Sequence, residues 1–412
     1  MAVKVFVFVL DIIQMRGFNL LLLYFNLLLC LSLPGLAQIQ TISVKPSVTN
    51  NRIKTFDEDN HLVFYHNGKN KKGILIYLPA SSHLTSSAKL FCNVAAEAGY
   101  IVFALAYAGT DILYDACAHN TMLTCFEDIH REIVEGKNYN PFLNIDSTEG
   151  ILFRLKALLD YLRLNDKNVN WQDFVDENNN VKFQGTTWVG HSDAAGHAAV
   201  MAKYTKVKRV VLFSGPKDFS EHFFVPPPWL NAGTWKTDKN TIFAFSHGQD
   251  EIVIQQEIWD SLGLKNYGKT VNMSQVDFPF NNSHQLITSE NVPVGHRHYC
   301  TVVDGKTPIS DGKPIFENVW KYLLDLPSLS TPINLISEST APKIYPNPVK
   351  AGARLNIDIK ADTQYTLVSL TGRIVHSGKH SQINTTGMVP GVYLLKLKSD
   401  WNHETVQKLI ID

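Results

Sequence analysis

An α/β fold is predicted for most of the chain: a doubly wound, mostly parallel sheet, followed by a small all-β sandwich. Two observations predict it. Between residues 39 and 326, short, continuously apolar runs alternate with segments whose apolar residues recur at helical spacing. After residue 343, short alternating runs punctuated by Gly, Pro and Asn take over. A strand that is apolar throughout must be covered on both faces, which is the condition of a parallel sheet clad by helices. Short strands broken by turn residues point instead to antiparallel sheets packed on each other.

The elements of the first region follow in order. Ile74-Leu75-Ile76-Tyr77-Leu78 is a buried strand with Gly73 before it and Pro79 after it. Ser86 to Ala98 reads as a helix stopped by Gly99, and Ile101 to Leu105 as the next strand. In Ile151 to Leu164, apolar residues at 151, 152, 155, 158, 159 and 162 give helical spacing. Phe183 to Val189 reads as a strand and Ala194 to Tyr204 as a helix. Val210–Phe213, Ile242–Phe245 and Thr270–Val276 are further strands, and Phe316 to Leu324 is a closing helix. In the last region the strands are Leu355–Ile359, Tyr365–Leu370, Val392–Leu397 and Val406–Ile411. The Ser-, Thr- and Pro-rich stretch 327–342 separates the two regions as a linker.

Length and composition bound the function. The 412 residues allow two to three domains at about 150 residues each. Hydrophobic residues make up 45% and charged residues 18%, the composition of a globular chain. Lys+Arg and Asp+Glu number 38 each, and this balance excludes nucleic acid as the expected partner. Five cysteines are too few for a disulfide scaffold. Cys117 and Cys125 are close enough in a loop-like segment to close a small ring, worth about 2–3 kcal/mol by chain entropy. Two buried thiols are the alternative. The pairing of Cys92 and Cys300 is open.

Residues 1–37 read as a signal peptide. Met15-Arg16 precede an apolar run from Leu20 to Leu33, and Gly35 and Ala37 supply small residues before a cleavage point. The run falls short of the ~20 apolar residues of a spanning helix, so cleavage rather than a permanent membrane span is expected. Met15 is the expected start of translation.

In a parallel sheet the chemistry sits beyond the carboxyl ends of the strands. After the strand ending at Val189 comes Gly190-His191-Ser192-Asp193-Ala194-Ala195-Gly196, which is Gly-x-Ser-x-small between strand and helix. A nucleophile raised on such a tight turn has a strained backbone, so its neighbours must be small. The helix N-terminus then brings N–H groups with partial positive charge to a developing oxyanion. Ala194 stands where a second Gly is usual. A Ser that merely caps the helix is the plainer alternative.

A serine hydroxyl needs a base, and the chain order on such a sheet is Ser, acid, His. Asp250, in Ser246-His247-Gly248-Gln249-Asp250-Glu251, follows the strand 242–245 and is the candidate acid, with Glu251 its rival. Its alternative role is to cap a helix near Ile252–Leu262. The base should follow the strand 270–276, in Gly295-His296-Arg297-His298-Tyr299-Cys300-Thr301. His298 is favoured over His296; two apart on an extended segment, the two point differently. Either is a surface histidine in the plainer reading. His284 is a weaker candidate base and a candidate pocket wall. The oxyanion hole should combine the N–H of Asp193 with one from the loop after strand 74–78, where Ala80 and Ser81 are the candidates. Phe223-Phe224-Val225-Pro226-Pro227-Pro228-Trp229 reads as a lid or equally as a packed connector. Asp176-Glu177-Asn178-Asn179-Asn180 reads as a turn rather than a calcium loop. No Walker-type loop, Gly-x-Gly-x-x-Gly or His-Glu-x-x-His occurs, so no cofactor and no metal are expected.

Two resemblances sharpen these readings. Ile344-Tyr345-Pro346-Asn347-Pro348, Leu370-Thr371-Gly372-Arg373 and Gly391-Val392-Tyr393-Leu394 resemble, in family order, the type IX secretion sorting domain of Bacteroidetes. That resemblance covers residues 343–412. It implies passage of the inner membrane by the signal peptide, then recognition by the type IX machinery, with release to the medium or the cell surface. An ordinary β-module is the alternative. Tyr77-Leu78-Pro79, Ala95 to Tyr100, Ala104 to Tyr107, the Gly190–Gly196 turn, Phe213 to Asp218, Ser283 to Leu286 and His298 through Asp304 resemble the α/β-hydrolase superfamily, within an uncharacterised secreted bacterial group. There Ala80 replaces the usual Gly of a Leu-Pro-Gly loop, and the resemblance places the base on His298. It implies a secreted serine hydrolase, an esterase or acyl hydrolase acting on a small-molecule or polymer ester. A serine peptidase on the same fold and a catalytically silent surface-displayed binding protein are the competing functions, because a fold does not fix an activity.

Overall fold

The structure, a computed structural model, describes residues 39–69, 71–109, 116–252, 255–326, 344–357, 364–369, 374–379, 381–398 and 404–412. The expected signal peptide, the linker and the Leu370–Arg373 motif lie outside the described residues. The chain divides into two compact units, Met1–Ser328 and Leu329–Asp412.

The first unit is built on a nine-stranded sheet. Its strands are β1 (Ile39–Val44), β2 (His61–His66), β3 (Gly73–Leu78), β4 (Tyr100–Ala104), β5 (Thr187–His191), β6 (Arg209–Phe213), β7 (Ile242–His247), β8 (Val271–Asn272) and β9 (Gln285–Thr288). They lie in the order β1-β2-β4-β3-β5-β6-β7-β9-β8. β1, β2 and β4 pair antiparallel, and every other pairing is parallel. The pleat divides the strand residues between two cores. Ile74, Ile76, Leu78, Trp188, Val210, Leu212 and Ala244 point into one core, which they share with α2 (Cys125–Glu135), α3 (Ile151–Asn165), α4 (Asp193–Tyr204) and α5 (Gln255–Leu262). Leu75, Tyr77, Val189, Val211, Phe213, Phe245 and Leu286 point into the other, covered by α1 (Lys89–Glu97) and α6 (Glu317–Leu323). Alternate residues of one strand thus feed opposite helical layers, which is why these strands are apolar throughout.

The second unit has two antiparallel sheets. After a short hairpin in the first unit, β10 (Ile309–Ser310) with β11 (Lys313–Pro314), the strands are β12 (Ile344–Tyr345), β13 (Arg354–Ile357), β14 (Gln364–Ser369), β15 (Ile374–Gly378), β16 (Gln382–Asn384), β17 (Gly391–Lys398) and β18 (Glu404–Ile411). They form sheets β12-β13-β16 and β15-β14-β17-β18. Leu355, Ile357, Leu367, Ile383, Leu395, Leu397, Leu409 and Ile411 from both sheets fill one core.

Four details differ from the sequence expectation. Residues 183–185 are a 3-10 turn, and the strand begins at Thr187. Of 270–276, only Val271–Asn272 pairs, at the sheet edge. The strand beside β7 is β9, which the polar flank of Leu286-Ile287 conceals. Cys125 opens helix α2 instead of lying in a loop.

Candidate active site

β5, β7 and β9 run parallel, so the residues after them emerge at one edge of the sheet. Those residues are Ser192, Asp250 and His298. Ser192 sits between β5 and α4 with φ 61° and ψ −125°, a conformation costly for any side chain but Gly. The surroundings enforce it. Ser192 N–H donates to the Phe213 carbonyl at 2.9 Å, and the Ser192 carbonyl accepts from Ala195 N–H at 3.0 Å. A Cβ on Gly190 would stand 2.1 Å from the Ala194 carbonyl oxygen, and one on Gly215 would stand 2.2 Å from that of Ser192. Ala194, whose methyl departs from the usual pattern, is fully buried.

His298 Nε2 lies 2.8 Å from Ser192 Oγ. Its Nδ1 lies 2.9 and 3.0 Å from the two Asp250 carboxylate oxygens. With Nδ1–H donating to the carboxylate, Nε2 is left as the acceptor for the serine hydroxyl. The Asp250 carboxylate also accepts from Ser246 Oγ at 3.0 Å and from Ile252 N–H at 3.0 Å. Ser214 Oγ, 3.4 Å from Ser246 Oγ, and Thr301 Oγ1, 3.2 Å from Ser214 Oγ, extend this hydroxyl chain behind it. The side chains of His298 and Asp250 are 1% and 2% exposed, which shields their charge-assisted bond from water. His191 Nε2 donates to the His298 carbonyl at 3.1 Å, and burial holds the His191 pKa well below its usual value.

The rivals stand elsewhere. Glu251 is exposed. His296 is held by Lys306 Nζ at 2.8 Å. Residues 294–302 form successive turns rather than an extended segment, with Cys300 N–H bonded to the His296 carbonyl at 2.8 Å. His284 is at the opposite edge of the sheet: its Nδ1 donates to the carbonyl of Ile242, where β7 begins. It stacks on Phe243 with ring centroids 4.0 Å apart, and burial lowers its pKa to about 4. That places it at the start of β7, away from the strand ends beyond which Ser192, Asp250 and His298 lie.

Asp193 is the first residue of α4, and the first N–H groups of a helix have no partner within it. The loop after β3 is tethered on three sides. Tyr107 OH donates to the Pro79 carbonyl at 2.7 Å, Ser81 Oγ donates to Asp193 Oδ2 at 2.9 Å, and the His83 ring stacks on Tyr299 at 5.1 Å. Ala80 is buried in this loop.

Other expectations also have their place. Cys117 and Cys125 are joined by a disulfide, and Cys92 and Cys300 are free and buried. Asp176 closes a turn by accepting from the N–H groups of Asn178 and Asn180. The Phe223–Trp229 segment is divided: Phe224 is 79% exposed, while Trp229 is buried and donates to Asp218 Oδ2 at 2.8 Å. A buried network beside α4 has no counterpart among the sequence expectations. His130 Nε2 donates to Asp218 at 3.0 Å, and His130 Nδ1 meets His197 Nδ1 at 2.8 Å. Gly196 is its one trace in the sequence motif, since a Cβ there would overlap His130 at 2.2 Å. Among the described residues no cluster of three or more His, Cys, Asp or Glu could hold a metal ion. Among them too, no helix is long and apolar enough to cross a membrane.

Residues 343–412 match the family model of the secretion system C-terminal sorting domain. The match assigns the chain to export by type IX secretion, to the cell surface or the extracellular space. It implies that this unit meets the type IX machinery. No curated protein matches the chain. Among solved structures, one similar chain is a dienelactone hydrolase-like promiscuous phosphotriesterase from metagenomic libraries. It is 12% identical, with a TM-score of 0.32, and the match covers 62% of this chain and 82% of that one.

Proposed function

We propose that the chain is a secreted serine hydrolase, an esterase or acyl hydrolase that works through an acyl-enzyme. Ser192 Oγ attacks the carbonyl carbon of an ester while His298 Nε2 takes its proton. Asp250 fixes the tautomer of His298 and stabilises the imidazolium. Negative charge on the former carbonyl oxygen is met by the N–H of Asp193 and an N–H of Ala80 or Ser81. His298 then protonates the departing alcohol. Water, deprotonated by the same ring, attacks the acyl-enzyme, and the acid leaves with Ser192 restored.

The single observation behind this proposal is the line Ser192–His298–Asp250, with contacts of 2.8 and 2.9 Å, ending on a serine held at φ 61°. A capping serine needs neither that backbone strain nor an imidazole at its oxygen. The substrate class is a small-molecule or polymer ester met outside the cell. A fluorophosphonate probe tests the chemistry: the wild-type protein is labelled and Ser192→Ala, folded by circular dichroism, is not. Equal labelling of both would sink the proposal. Matched p-nitrophenyl ester and anilide panels separate an esterase from a peptidase.

A further inference from the structure

A carboxylate beside an oxyanion hole is electrostatically adverse, because it repels the charge that develops there. Asp193 is such a group. Its backbone N–H is a proposed oxyanion donor, and its side chain is buried at 2% exposure at the start of α4. The helix dipole offsets part of the cost of an anion at this position. The rest is offset by two partners on separate loops. Ser81 Oγ, from the loop after β3, donates to Oδ2 at 2.9 Å. Lys217 Nζ, from the loop after β6, stands 3.5 Å from Oδ1 at ion-pairing distance.

Resting on the proposed function, we infer that the Asp193 side chain is a positioning residue that spaces the two halves of the oxyanion hole. One donor is the N–H of Asp193 itself. The other belongs to Ala80 or Ser81, in the loop that the Asp193 carboxylate holds through the Ser81 hydroxyl. The bond therefore joins the two donor segments directly, and Lys217 neutralises the charge that the joint requires. Catalytic donors misplaced by about 1 Å cost about 100-fold in rate, so a tether at this point controls turnover more than substrate binding.

The test uses the full chain and the p-nitrophenyl ester turned over fastest by the wild-type protein. Ser81→Ala keeps the backbone N–H and removes the tether. It should lower kcat about 10- to 100-fold and leave KM within about threefold. Ser81→Thr restores the hydroxyl and should recover most of that loss. Lys217→Met removes a neutralising charge beside the carboxylate and should also lower kcat; Asp193→Asn added to Lys217→Met should recover part of the loss by removing the repelling charge. Thermal midpoints are read for each variant, because a purely structural role predicts losses that follow stability and add in the double variant. Ser81→Ala at wild-type kcat, or no recovery in Ser81→Thr or in the double variant, overturns the inference while probe labelling of Ser192 stands. A wild-type protein that takes no probe on Ser192 overturns the proposed function and this inference together.

Discussion

In the larger unit the interior holds charge. Glu132 is fully buried and accepts from the N–H groups of Tyr139, Asn140 and Ile145. Arg154 is fully buried and donates to the carbonyls of Thr55, Phe56, Ala106 and Glu149. His61, His130, His191, Asp218 and the Asp250–His298 pair are buried as well. In the smaller unit, Thr385 is the buried polar side chain among the described residues, and the core is otherwise aliphatic with Tyr365 and Tyr393. Buried charge stabilises little, and removing one partner is costly. The larger unit therefore accepts a strained, polar interior that chemistry can use. The smaller has the plain interior sufficient for a module recognised from outside.

The largest expected effect separates the two by activity. Ser192→Ala and His298→Ala should each lower ester turnover by about 10⁴-fold or more, and the double variant should be no worse, since the two act as a unit. Removing residues 343–412 should leave turnover unchanged in purified protein and abolish export. Turnover lost on that removal would mean that chemistry and sorting are not divided between the units. His296→Ala should change turnover no more than a few-fold, measured in the same ester assay.

That division shows what the sequence could disclose. Ser192 was legible because the Gly190-to-Gly196 pattern follows from steric need, and Asp250 and His298 because chain order follows strand order. The strand leading to His298 was not. Val271 and Val276 look more β-prone than Gln285-Leu286, but pairing with β7 decides the matter, and that partner is distant in sequence. β1 and β2 escaped for the same reason, since β1 is defined by its pairing with β2, and β2 by β1 and the distant β4. The His130–His197–Asp218 network left no local pattern because its members come from α2, α4 and the loop after β6. In the smaller unit β13 was legible from its strict alternation, and β14, β17 and β18 from β-prone runs between turn residues. β15 is mostly exposed and was not.

Glycine substitutions sharpen the comparison next. Alanine at Gly190 would drive a methyl into the backbone of Ala194 and Ala195, at 2.1 to 2.5 Å. The loss should be about 3–5 kcal/mol, and the larger unit's unfolding transition should fall accordingly. Gly352 in the smaller unit has φ 83° with open space around it. Alanine there meets backbone strain alone, about 1–2 kcal/mol. Differential scanning calorimetry of both variants checks the ranking, and equal losses would break it.

Acid should act on the larger unit through its buried histidines. Burial, with Arg154 nearby, holds the His61 pKa down to about 3, and its Nδ1 accepts the Ala106 N–H. Asp57 is the opposing charge and does not outweigh these. The unfolded chain takes up a proton at this residue below about pH 6.5, and the folded chain does not until near pH 3. Stability is therefore complete above pH 6.5 and falls as pH drops through that window. For His61 the loss is about 2–3 kcal/mol between pH 6.5 and 4.5. His191 and His197, with pKa values also held well below the usual, add to it. His61→Gln should flatten the slope by about one proton, read from urea midpoints at several pH values. A wild-type slope of zero would sink this account.

The smallest effect concerns the disulfide. The Cys117–Cys125 bond closes a ring of sequence separation 8, so in the chain-entropy model its removal costs about 2–3 kcal/mol at most. The cost falls on one unit, because all five cysteines precede residue 301 and none lies in 343–412. Where it falls is also specific. Cys125 opens α2, which carries His130 against His197 of α4. The carbonyl of Ala118, next to Cys117, accepts from the N–H groups of Glu221 and His222 in the loop leading to Trp229. The bond therefore braces the network beside α4 while touching none of Ser192, Asp250 or His298. Cys117→Ala with Cys125→Ala should lower the first unfolding transition, leave the second in place and retain most ester turnover at 25 °C. A shift in both transitions, or loss of turnover without loss of stability, would show that the ring does more than restrain the unfolded chain.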